Sequence, residues 1–240
     1  MKQSIAIFLA VCSLTACKSK PDASLAGSWV TPIIGQDAFK EGFSLNADGS
    51  ASSINSATLK FTKWSSKGNS LILQGESVGN GQTSAFSDTL EIAKATDGKT
   101  SIKSKDGRVW ESADAAAVTA ITSEYNTVYC FKNSSSNDVA EMSYRQVGDK
   151  IYGSLSYQIA GKDKNFGSIS GTIKGDTLFG DYTFSSEGTE SSREVVMLKA
   201  GDSWKEGYGD VVVNGNKVAF KDKSKLGFNG MTLAKTDCPK

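Results

Sequence analysis

Apolar and polar residues alternate with a period of two along nearly the whole chain, and Gly beside Asp or Asn interrupts the alternation at regular intervals. The clearest stretch is Ile151 to Ile159. Ile151, Gly153, Leu155, Tyr157 and Ile159 share one face, and Tyr152, Ser154, Ser156 and Gln158 share the other. Successive side chains of a strand point to opposite faces, so this pattern specifies β-structure. The breaks are Asp48-Gly49, Asp97-Gly98, Asp106-Gly107, Gly148-Asp149, Gly175-Asp176 and Asn214-Gly215. Such pairs tolerate the positive φ of tight hairpin turns. Strands joined in sequence by hairpins form an up-and-down meander, and about eight of them remove their open edges by closing into a barrel. The expected fold class is all-β, with two small antiparallel meander barrels.

The first unit is expected over residues 25–112, with strands near 27–33, 41–46, 50–55, 58–64, 70–77, 84–93, 99–104 and 108–111. The second is expected over 126–240, with strands near 127–132, 138–146, 150–159, 166–173, 177–185, 193–200, 204–213, 217–220 and 230–235. Composition changes abruptly between them. Ala113, Ala115, Ala116, Ala117 and Ala120 mark residues 113–125 as a linker with room for one or two helical turns. A single larger β-structure with an internal helix is the alternative.

The chain has no histidine. Ser-His-Asp and Cys-His catalysis and imidazole zinc sites are therefore excluded. With 27 basic and 26 acidic residues it shows no electrostatic footprint for nucleic acid or anionic lipid. No calcium-loop spacing and no phosphate-binding Gly motif stands in the required setting, so no metal or cofactor is expected. The one suggestive carboxylate cluster is Asp181, Glu187, Glu190 and Glu194 with Arg193. Two carboxylates suffice for glycoside hydrolysis, which makes a hydrolase the third functional reading. A hydrophilic hairpin loop accounts for the same residues.

At the N-terminus, Lys2 precedes an apolar run from Ser4 to Leu14, and Leu14-Thr15-Ala16-Cys17 follows. The run is too short to span a bilayer and suits a signal peptide. Its ending resembles the lipobox of bacterial lipoproteins. That resemblance implies that residues 1–16 are a signal peptide, that Cys17 carries the lipid (the palmitate-type anchor of such proteins), and that residues 17–24 are a tether to a membrane. Cell-surface lipoproteins of the Bacteroidetes type often carry an acidic cluster after the cysteine; Lys18-Ser19-Lys20 here favours the periplasmic face of the outer membrane, with the cell surface the alternative. Cys12 falls in the leader, so an oxidising envelope leaves Cys130 and Cys238 for one disulfide. Cys130 lies on the first strand of the second unit and Cys238 follows its last, and barrel closure brings those strands together.

Leu25-Ala26-Gly27-Ser28-Trp29-Val30 opens the first unit. Gly27 and Trp29 resemble the Gly-x-Trp signature of lipocalins, and Arg108, at the start of the closing strand, matches the basic residue that packs over the tryptophan in that superfamily. Residues 42–51 and 59–64 are similar to small lipocalin-like domains of Bacteroidetes lipoproteins. The resemblance implies a barrel with structural roles for Gly27, Trp29 and Arg108. A cavity lined by Phe43, Leu45, Leu59, Phe61, Leu73 and Phe86 would favour a ligand. In the second unit, Tyr152, Tyr157, Phe166, Phe179, Tyr182 and Phe184 are expected to fill the barrel. The leading functional expectation is a non-enzymatic envelope lipoprotein that binds a small apolar molecule, a glycan or a protein partner. The alternative is a structural or envelope-stress signalling module acting by protein contact.

Overall fold

A computed structural model of the chain describes residues 21–133, 138–161, 164–186 and 189–239. Cys17, the leader and Glu187 lie outside the described residues. After a 3-10 turn at Ala23–Leu25 come β1 (Gly27–Ile33), β2 (Gln36–Leu45), β3 (Ala51–Ile54), β4 (Leu59–Lys67), β5 (Ser70–Gly79), β6 (Gln82–Lys94), β7 (Thr100–Lys103) and β8 (Val109–Ala113). They form one 8-stranded sheet in meander order in which β8 returns to β1. The seam between β3 and β4 is held by a Ser50–Lys63 bridge and by Trp64 N–H donating to the Gly49 carbonyl at 2.9 Å.

The interior of this barrel is apolar, with Trp29, Phe43, Leu45, Trp64, Leu71, Leu73, Ile102 and Trp110 buried together. One end is stoppered. Trp29 lies there and donates its indole N–H to the Leu25 carbonyl at 3.0 Å, which ties the 3-10 turn across the opening. Trp64 donates in the same way to the Asn46 carbonyl at 2.7 Å. A buried indole needs such a partner, and both have one.

The linker forms α1 (Ala115–Asn126), a 12-residue helix, which is longer than the expected one or two turns. Asp114 is the reason it starts cleanly: its carboxylate accepts from Ala117 N–H at 2.8 Å. The alanines then propagate it at little entropic cost.

The second unit comprises β9 (Tyr129–Asn133), β10 (Val139–Val147), β11 (Lys150–Gln158), β12 (Asn165–Lys174), β13 (Thr177–Ser186), β14 (Thr189–Ala200), β15 (Ser203–Glu206), β16 (Val211–Asn214), β17 (Lys217–Phe220) and β18 (Thr232–Thr236). Pairing of β13 with β14 and of β9 with β18 closes the ring. The expected strand 204–213 is in fact two. At Gly207 the chain turns out of the barrel, where a side chain would run into the Phe228 ring at 2.9 Å. β16 and β17 form a hairpin arm that joins β14 in parallel through Ser192–Lys217 and Arg193–Val218. The Cys130–Cys238 disulfide spans 108 residues with a Cα–Cα distance of 5.2 Å. It staples the closing pair, in which Thr236 opposes Cys130.

The filling of this barrel partly differs from expectation. Tyr157 and Tyr182 are in the core and Phe184 packs against it. Tyr152, Phe166 and Phe179 have the opposite parity on their strands and lie on the outer wall, with Phe166 65% exposed. Tyr152 instead serves the joint between the barrels. Phe39 of β2 is 2% exposed yet belongs to neither core. It packs edge-on against Tyr125 of α1 and Tyr152 of β11, at 6.0 and 5.6 Å between centroids. The Arg145 guanidinium covers the Tyr125 ring at 4.8 Å, and Asn55 donates to the Ile121 carbonyl at 3.2 Å.

A candidate binding site at the mouth of the first barrel

The β1–β8 register separates the two ends of the first barrel. Trp29 pairs with Ser112. Arg108 precedes Ser112 by four positions, which at ~3.4 Å per residue is about 13 Å along the strand. Trp29 therefore seals the stoppered end, while Arg108 stands at the open one. The expected stacking of Arg108 on Trp29 is replaced by stacking on Trp110, with the guanidinium carbon 5.1 Å from the ring centroid. Such a contact is worth ~0.5–1 kcal/mol at an accessible site.

The turn that carries Arg108 is built by Ser104. Its backbone N–H donates to the Arg108 carbonyl at 3.0 Å, and its carbonyl accepts from Gly107 N–H at 3.1 Å. Gly107 has φ +91°, which an L side chain rarely adopts. The Ser104 hydroxyl donates to the Asp106 carboxylate, and that hydrogen bond is the main reason the Asp106 carboxyl lies below its ordinary pKa. Arg108 then reaches across the mouth. Its Nη2 donates to Glu41 Oε1 at 2.7 Å and to the Pro32 carbonyl at 3.4 Å. Both side chains of this pair are about three-quarters buried, at 25% and 26% exposure, so solvent screens it only partly.

Below the rim lies a cup of about 530 Å³ lined by Phe43, Leu59, Phe61, Leu73 and Trp110 and edged by Asp88, Lys105, Asp106 and Arg108. The volume falls within the ~300–1,000 Å³ of small-molecule sites. Its rings form a connected set: Phe43 meets Phe61 at 5.5 Å and Trp110 at 5.9 Å, and Phe61 meets Phe86 at 5.7 Å. Four of the six anticipated lining residues do line it. Leu45 is instead buried in the core, 2% exposed, and Phe86 meets Phe61 edge-on across Gly75. Glu41 and Asp88 were not singled out in the sequence, and Asp106 was read only as a turn residue. Asp88 was legible, because it breaks the apolar series on the inward face of β6.

The carboxylate cluster of the second barrel does not form a catalytic pair. Asp181 and Glu194 lie directly opposite each other on β13 and β14. Each is taken by a lysine of the arm or its extension: Lys217 reaches Asp181 and Lys223 reaches Glu194, both at 2.9 Å. Phe220 N–H also donates to Glu194 at 2.9 Å. Arg193 faces the other way, into the barrel, where its guanidinium lies 5.0 Å from the Tyr157 ring centroid and 3.6 Å from buried Glu206. Glu206 accepts from Tyr157 at 2.9 Å and Tyr208 at 3.1 Å. Burial, with the Glu206 charge second, raises both phenols, Tyr208 to about 12. A larger open groove of about 610 Å³ runs along the outer wall past Tyr152, Phe179 and Lys223. Its carboxylates are the lysine-paired ones and its lining is the more polar, which leaves the cup as the better candidate for an apolar ligand. Among the described residues no cluster of potential metal ligands occurs.

Residues 21–112 match a family model described as lipocalin-like. A solved structure, a lipocalin-like protein from Bacteroides thetaiotaomicron, is 36% identical over 39% of this chain and 100% of its own, with a TM-score of 0.33. No curated protein matches the chain.

Proposed function

Through residues 21–112 the chain belongs to the lipocalin-like family, and on that premise we propose that it is a membrane-anchored envelope lipoprotein whose first barrel binds a small apolar molecule. The observation that carries the binding is the cup: an aromatic interior, open at the Arg108 end and stoppered at the Trp29 end. Apolar ligands gain ~25 cal/mol per Å² removed from water, and a preformed cavity spares the protein the cost of ordering itself.

Anchoring at Cys17 rests on the leader and its lipobox. The Cys130–Cys238 bridge supports an oxidising compartment, since such bonds persist outside the cytoplasm. No helix among the described residues is long and apolar enough to cross a membrane. The outer-membrane location, facing the periplasm, is part of the same proposal. Labelled palmitate should enter the wild type and not Cys17→Ser.

The binding is tested with N-phenylnaphthylamine, a neutral probe that brightens in apolar sites. Saturable binding at one site, weakened when Leu59→Trp fills the cup, is expected; absence of saturable binding would refute the reading. A second reading, contact with an envelope protein, draws on the second barrel. Its interior is filled, and its arm exposes Val211, Val212 and Val213.

A further inference from the structure

The outer wall of the second barrel carries a row of side chains that the fold does not use. The register of β9 to β12 sets Lys132, Glu141, Ser156 and Phe166 directly opposite one another across four neighbouring strands. Strands lie ~4.8 Å apart, so the row is about 14 Å long. At one end Lys132 and Glu141 form an ion pair at 2.8 Å. At the other the Phe166 ring is 65% exposed, the most open aromatic among the described residues. Small residues between them leave a trough. Ser143 and Ser154 hydrogen-bond to each other at 2.9 Å in it. Ser156 also lines it and is 6% exposed, and its hydroxyl has no hydrogen-bond partner among the described residues. A hydroxyl so far removed from water is costly to leave unpaired.

The C-terminal segment walls the trough with Thr236, Asp237 and Pro239, and the Cys130–Cys238 disulfide fixes that wall to β9. The groove so formed holds about 400 Å³, within the ~300–1,000 Å³ of small-molecule sites. Its charges balance: Lys132 and Lys164 line it, and so do Glu141 and Asp237. No net charge selects an ion. A purely apolar molecule would take water from the serines and the ion pair without replacing its hydrogen bonds. A peptide strand would need an open backbone edge, and each of β9 to β12 is paired on both sides. A neutral sugar meets every demand. The C–H face of its ring suits the Phe166 ring, and its hydroxyls suit Ser156 and the spare acceptor positions of Glu141.

We infer that the second barrel carries a saccharide site on its outer wall: a neutral sugar stacks on Phe166 and hydrogen-bonds to Ser156 and to the Lys132–Glu141 pair. The site lies on the other barrel from the cup and does not rest on the reading of the cup.

The full chain is applied to a printed array of neutral and acidic oligosaccharides, and those it retains are titrated by calorimetry. The wild type should bind neutral oligosaccharides. Phe166→Ala should weaken that binding about tenfold, the upper end for an aromatic contact, and Phe166→Tyr should retain it. Ser156→Val keeps the volume, removes the hydroxyl and should weaken binding several-fold. Melting temperature confirms that each variant is folded, and replacing the exposed Phe166 ring should leave it unchanged. Failure of the wild type to bind any neutral oligosaccharide overturns the inference. So does a preference for the acidic ones, or binding that survives Phe166→Ala. Displacement of the sugar by N-phenylnaphthylamine would move it to the cup and also overturn the inference. Failure of that probe to bind overturns the reading of the cup alone.

Discussion

Phe39 of the first barrel meets Tyr152 of the second edge-on, with ring centroids 5.6 Å apart. The contact is remote in sequence and closes the space that α1 leaves between the barrels. Phe39→Ala should open that joint, at a cost of up to ~3 kcal/mol of coupling, the low end for a buried Phe. Calorimetry should show one broad transition separating into two. Limited proteolysis should become faster within residues 113–125 and leave two resistant fragments, which also tests the division into two domains.

Cys238→Ser frees the ends of the second barrel. Cross-linking a loop of this size is worth ~4–5 kcal/mol in the entropic model, and removal of a native bridge costs ~2–5 kcal/mol in practice. The melting temperature of the second barrel should fall, with that of the first unchanged in the Phe39→Ala background, where the two are resolved. Thiol titration of the wild type should find neither Cys130 nor Cys238 free.

The arm is held by charge. Asp181 and Glu194 face each other across strands, an arrangement that is destabilising on its own, and Lys217 and Lys223 neutralise it. The double change Lys217→Ala with Lys223→Ala should lower stability more at low salt than at high salt. Adding Asp181→Asn should recover part of the loss, because it removes one of the two facing charges. Thermal melts at two ionic strengths measure both effects.

Alkaline pH should loosen the second barrel. Tyr157 and Tyr208 hold their protons more tightly folded than unfolded, Tyr208 to about 12. The stability this confers is complete below the unfolded phenol value near ~10 and is lost as pH rises through the folded values, because the unfolded chain then releases protons that the folded one retains. An absorbance titration should show these two among the last phenols to ionise, and melting temperature should drop from about pH 10 upward. Tyr208→Phe should flatten that drop.

Local sequence carried the strands well because Asx-Gly turns fix where hairpins end, and Ile151–Ile159 announced its own two faces. It carried inside and outside less well. Phe166 and Phe179 are aromatic, and only their parity relative to Ile169 and Leu178 places them on the outer wall. The break inside 204–213 was hidden because Val211 to Val213 continue a strand-like run after Gly207 has already left the barrel. Arg108 found a different tryptophan because stacking depends on register, and register is a property of paired strands. Phe39 reads as an ordinary strand residue until its partners on α1 and β11 are known. At the site, the apolar lining was legible from alternation, whereas the Glu41–Arg108 pair needed the sheet to place β2 and β8 on either side of β1.

The chain enters the first barrel at its stoppered end. Asp22 N–H donates to the Ser66 hydroxyl at 3.1 Å, and Pro21 lies against Gly49 there. For the proposed anchor at Cys17, the described chain thus begins at the base of a goblet, opposite its rim. A molecule arriving from the aqueous side meets the rim directly, whereas one leaving the bilayer must first travel past the outer wall. The geometry suits capture from solution better than extraction from lipid.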